Sequence, residues 1–101
     1  MRDILLIGVV TSAQIGAPKD HGVVFEHIEL VERRGTSVRL ENVRAIKQVA
    51  NLLEVDSVGR FYFREDGRAN HLLAIERADG VEAFDLHRVS IDDLKSFIEG
   101  P

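Results

Sequence analysis

Arg60, Tyr62 and Arg64 alternate with Phe61 and Phe63 in the segment Val58-Gly59-Arg60-Phe61-Tyr62-Phe63-Arg64. On an extended strand this spacing sends the two phenylalanines to one face and the arginine-tyrosine-arginine stripe to the other. A tyrosine ring offers a stacking surface worth about 1–3 kcal/mol per nucleobase, and guanidinium groups beside it pair with phosphates. The stripe is therefore a candidate ligand-binding face, which Arg33, Arg34 and Arg39 would extend from a neighbouring hairpin. The bland alternative is structural. Glu65, Asp66, Glu76 and Glu82 lie close in sequence and would neutralise the same arginines across a sheet.

Other chemistry is thinner. His21 and His27, with Asp20 and Glu26 beside them, form the densest set of metal-ligating types, but their spacing matches no zinc signature such as His-Glu-x-x-His. On a strand Glu26 and His27 would point to opposite faces. No metal or other cofactor is expected. Thr11, Ser12, Thr36, Ser37, Ser57, Ser90 and Ser96 carry no motif that supplies a base and an orienting group, and Gly16 and Gly22 lack the Gly-Lys-Ser/Thr ending of a phosphate loop. The expectation is that the chain has no enzymatic activity.

The elements that hold these residues fit one domain spanning residues 1–101, since 45% hydrophobic content suffices for a single packed core. Cysteine is absent, which removes disulfides, thiolate metal sites and cysteine nucleophiles and is compatible with a cytoplasmic setting. The net charge of −4, with acids and bases interleaved, gives no global pull toward nucleic acid or anionic lipid. The apolar run Ile4 to Val10 is far shorter than the about 20 residues that cross a bilayer, so no membrane insertion is expected.

Ile4 to Val10 reads as a buried strand that continues to Ile15, and residues 16–22 as the longest loop. Val23 to Arg33 has helical as well as strand character. The Arg33-Arg34-Gly35-Thr36 turn favours a hairpin into Ser37-Val38-Arg39-Leu40. Val43, Ile46, Val49, Ala50 and Leu53 recur at helical spacing behind Asn42 as a cap, predicting a helix that ends near Glu54. The Phe-Tyr-Phe strand, His71 to Arg77 and Val81 to Leu86 then form a three-strand meander. Ser90 as cap, Asp93 three residues on, and Val89 placed to pack on Leu94 predict a last helix with Phe97 and Ile98 inward.

The fold class expected is α+β: a small, mainly antiparallel barrel or curled sheet with one internal and one C-terminal helix. Its element order, β-β-β-α-β-β-β-α, is similar to that of an oligonucleotide/oligosaccharide-binding (OB) barrel with an added strand and helix. A pleckstrin-homology-like roll also ends in a helix over a barrel mouth, but lacks an internal helix.

Functionally, careful capping and a good core plan without a reactive constellation suggest a recognition scaffold. A binding or protein-interaction module is the leading expectation, with a protein partner or self-association through an exposed edge or the arginine-tyrosine face. The alternative is single-stranded nucleic-acid binding through Arg33, Arg34, Arg39, Arg60, Tyr62 and Arg64, against which the acidic net charge weighs. A third reading is a soluble domain of a larger or membrane-tethered protein.

Overall fold

A computed structural model describes residues 2–16, 22–90 and 92–93. Six strands and one short helix follow in the order β1 (Arg2–Ile15), β2 (Gly22–Glu32), β3 (Ser37–Ile46), α1 (Lys47–Ala50), β4 (Val58–Glu65), β5 (Asn70–Arg77) and β6 (Glu82–Phe84). The architecture is a compact, sheet-rich fold in which all but one of the strand pairings are antiparallel.

The long first strand organises the sheet. Its first half pairs with β4, from Arg2↔Glu65 to Val9↔Val58, and its second half with β2, from Gly8↔Glu32 to Ile15↔Phe25. Gly8 and Val9 alone belong to both registers, so the strand passes from one half of the fold to the other at that point. A Cβ on Gly8 would sit 2.1 Å from the Val31 carbonyl oxygen, a contact no side chain survives. The glycine is there because the neighbouring backbone closes over it.

β2 pairs with β3 and β4 with β5, and a short parallel contact, Val43↔Asn70 and Arg44↔His71, joins β3 to β5. The pairings β1–β2–β3–β5–β4–β1 thus complete a barrel-like ring, to which β6 adds as an outer strand on β5. Asn70 Nδ2 donates to the Glu41 carbonyl at 2.8 Å, and Asn42 Nδ2 donates to the Arg68 carbonyl at 3.1 Å, stitching the seam with side chains where the ladder is short.

The ring encloses Leu6, Val10, Ile28, Leu30, Phe61 and Phe63, and Val49 of α1 and Leu53 beyond it are buried in the same cluster. Both phenylalanines are fully buried, as their period-two spacing implied. A second, smaller cluster forms on the outside of the ring, where Tyr62, Leu73, Ala74 and Val89 pack with Phe84.

The internal helix expected from Asn42 to near Glu54 is corrected. β3 runs on to Ile46, and only Lys47–Ala50 is helical. Val43 and Ala45 are buried between exposed Asn42 and Arg44, the alternation of a strand, and Asn42 has a positive φ of 51° instead of acting as a cap. Val43 satisfies either period, so the apolar spacing alone did not separate them. Strand pairing with β2 over Gly22↔Ile46 and Val23↔Ala45 decided for the strand.

The last strand is shorter than Val81 to Leu86, because Asp85 leaves the ladder. Its backbone N–H still donates to the Leu73 carbonyl, and its own carbonyl accepts from Arg88 and Val89 in a turn. Asp93 N donates to Ser90 Oγ at 3.1 Å, the bond expected of Ser90 as a cap, while the body of the helix expected beyond it lies outside the described residues. The Leu94 contact, the Phe97 and Ile98 face and most of the 16–22 loop, including Asp20 and His21, lie outside the described residues.

Candidate functional site

The arginine-tyrosine stripe is divided by the fold. Tyr62 is 2% exposed, its ring held in the outer cluster by Leu73, Ala74, Val89 and Phe84. Its hydroxyl donates to Asp3 Oδ2 at 2.9 Å, and Arg64 donates through Nε to Asp3 Oδ1 at 2.8 Å and through Nη2 to the Tyr62 hydroxyl at 3.1 Å. Nη1 of Arg64 reaches the Arg88 carbonyl at 3.4 Å. These contacts tie the start of β1, the end of β4 and the segment after β6 into one clamp. The hydrogen bond from Arg64 holds the Asp3 carboxyl below the usual range. Burial, then the hydrogen bond to Asp3, pushes the Tyr62 phenol up, so it stays a donor. No open stacking surface is left on Tyr62.

Arg39 is likewise engaged within the sheet. It donates to Glu29 at 2.7 Å and to Glu41 at 3.4 Å, both neighbours on the β2–β3 ladder. Asp3 and Glu29 fill the neutralising role that sequence proximity had suggested for Glu76 and Glu82. Glu65 pairs with Arg2. Arg34 is exposed in the β2–β3 turn.

Arg33 and Arg60 come together elsewhere. They line a groove of about 680 Å³ on the face opposite the core, floored by Ile7, Val9, Val31 and Val58. The sheet curls tightly here. Gly8 and Gly59 pair with each other, and a Cβ on Gly59 would lie 2.4 Å from the Glu76 carbonyl oxygen. Glu32, Glu76 and Arg77 complete the rim, with Arg77 paired to Asp79 in the β5–β6 turn. A smaller hollow of about 330 Å³ shares Val58 and Arg77 and extends to Val55, and both valines are about half exposed.

Two histidines have defined partners. His27 Nε2 lies 2.9 Å from Ser12 Oγ across β1 and β2, but no carboxylate among the described residues contacts the ring, so the pair lacks the orienting group that activates a nucleophile. His71, nearly buried, shares a 2.8 Å hydrogen bond with Asp66 Oδ2. Asp66 Oδ1 also accepts from the backbone N–H groups of Arg68 and Ala69. Those donors, the Arg68 N–H foremost and then His71, hold the Asp66 carboxyl far below its ordinary range. This arrangement shapes the β4–β5 turn beside the ring seam.

Sequence reading singled out Arg33 and Arg60 but missed the groove that joins them. Its available signal was Gly8 and Gly59, glycines inside two apolar strands, which mark close backbone approach. Asp3, the centre of the clamp, had no local signal because its partners lie 59 and 61 residues away. Among the described residues no group of three histidine or acidic side chains comes together, and no helix is long and apolar enough to cross a membrane. The chain matches no protein-family model, no curated protein and no solved structure.

Proposed function

We propose that the protein is a non-enzymatic protein-interaction module of the cytoplasm, built on an OB-like ring. The observation that carries this reading is the groove over Gly8 and Gly59, with an apolar floor and charged rim. An apolar centre within a polar rim is the usual anatomy of a protein contact surface. The ring order, with its parallel β3–β5 closure and a helical turn between β3 and β4, supports the OB-like description over a pleckstrin-homology-like roll. Absence of cysteine agrees with a reducing compartment.

Nucleic-acid binding is the weaker reading on the same scaffold. The outward charges of β2 and β3 include Glu26, Glu29 and Glu41 beside Arg39 and Arg44, and Tyr62 is enclosed, so a continuous basic track with stacking rings is lacking among the described residues.

Photo-crosslinking tests the proposal. Benzoylphenylalanine replaces Val58 in the groove or, as control, the exposed Gln48 on α1, and the cells that naturally produce the protein are irradiated. Protein adducts from position 58 and not from 48 are expected. A nuclease-sensitive adduct, or no adduct from position 58, refutes the reading.

A further inference from the structure

β6 is joined to the sheet differently from every other strand. It spans only Glu82–Phe84 and has one neighbouring strand among the described residues, β5, whereas β1 to β5 each pair with at least two. Charge sets its ladder apart as well. Where carboxylates face arginines elsewhere in the strand register the signs are opposite, at Arg2↔Glu65, Asp3↔Arg64, Glu29↔Arg39 and Arg60↔Glu76. Glu76↔Glu82, at the start of β6, is the one like-sign pair of carboxylates, arginines or lysines among the described strands. Like charges directly opposite each other push two strands apart where opposite ones would draw them together.

The other contacts of this segment form a unit largely separate from the ring. Phe84 and Val89 pack with Tyr62, Leu73 and Ala74 in the outer cluster, and of residues 82–89 only Ala83 packs against the cluster inside the ring. Buried Asp85 is satisfied from within the segment. Its Oδ1 accepts from the His87 N–H at 3.2 Å, its Oδ2 lies 3.8 Å from Arg88 Nε, and its carbonyl accepts from the Arg88 and Val89 N–H groups. Beyond the short β5–β6 ladder, the Asp85 N–H to the Leu73 carbonyl at 2.7 Å and Arg64 Nη1 to the Arg88 carbonyl at 3.4 Å hold the segment down. We propose that residues 82–89 form a strap that opens from the ring as a unit while the ring stays closed. A segment with a short ladder, its own polar contacts and its own apolar cluster has the makings of a local cooperative unit. Opening leaves β5 without a partner on that side from Ala74 to Glu76, which makes it a sheet edge, and uncovers the outward face of Tyr62, Leu73 and Ala74. The Glu76–Glu82 repulsion sets how often the strap opens.

Native-state hydrogen exchange of the full chain, followed by NMR at rising sub-denaturing urea, tests the device. The Asp85 amide reports the strap, and the ladder amides of β1 and β4 report the ring. Asp85 is expected to exchange through an opening at least about tenfold more populated, and less urea-dependent, than the one that exposes the ring amides. Ile28→Val, a small cut inside the ring, should speed exchange of the ring amides by about two- to tenfold and leave Asp85 unchanged, because the ring is intact whether the strap is open or closed. Glu82→Lys turns the like-sign pair into an opposite one and should slow exchange at Asp85 by about threefold or more, with Glu82→Gln acting in the same direction and more weakly. Exchange at Asp85 that rises with the ring amides in Ile28→Val, or that Glu82→Lys leaves unchanged, overturns the inference.

Discussion

Truncating Tyr62 in two steps separates a structural clamp from an open recognition face. In Tyr62→Phe the ring stays in its cluster, and only the hydroxyl is lost. A hydrogen bond to a charged group contributes about 1.5–3 kcal/mol. Here the Asp3 side chain is 36% exposed and keeps its two-oxygen contact with Arg64, so the loss should fall to about 1 kcal/mol. Tyr62→Ala also empties a site that is 2% exposed among Leu73, Ala74, Val89 and Phe84, and large aromatic truncations in such sites cost about 3–5 kcal/mol. Equilibrium urea unfolding measures both. With a slope of about 1–3 kcal/mol per molar urea, the phenylalanine variant should lower the midpoint by a fraction of a molar and the alanine variant by a molar or more. Asp3→Ala combined with Tyr62→Phe should destabilise less than the sum of the two single changes, because the same bond is removed only once. The reasoning fails if Tyr62→Ala moves the midpoint no more than Tyr62→Phe, since the ring would then be uncovered.

Two further perturbations probe the frame of the groove and the β4–β5 turn. Gly59→Ala places a methyl against the Glu76 carbonyl oxygen and the Arg77 Cα, both backbone, so β4 and β5 must part; a loss of about 1–3 kcal/mol in thermal or urea unfolding is expected, and an unchanged midpoint would show that the strands do not close there. Asp66→Asn removes a carboxylate whose folded pKa is depressed, so its stabilisation is present above the unfolded value of about 3.9 and is lost as pH falls through the lower folded value. The gap between wild type and variant should thus be open at pH 7 and shrink in strong acid; a gap that is the same at both ends contradicts the assignment.

Local pattern made much of the sheet legible before any tertiary contact was known. Phe61 and Phe63 at period two, the Arg33 to Thr36 turn between two strands, the meander after Val58 and the Ser90 cap are all properties of near neighbours. They depend on side-chain alternation and turn chemistry, which a chain carries wherever it sits. The segment after Asn42 was not legible in the same way, because Val43 serves a helical and an alternating pattern equally, and pairing with β2 selected the strand.

The fate of the charged groups was decided by tertiary structure alone. Arg64 and Arg60 sit four residues apart on one strand face, yet Arg64 is bound by Asp3 from the far end of the chain while Arg60 opens onto the groove. Tyr62 alternates outward as its position requires, but the segment after β6 folds back over it. Alternation determines which face a side chain takes. Only the closing of the ring and the return of distant segments determine whether that face meets solvent, a neighbour or a partner, because those contacts join residues that sequence proximity does not relate.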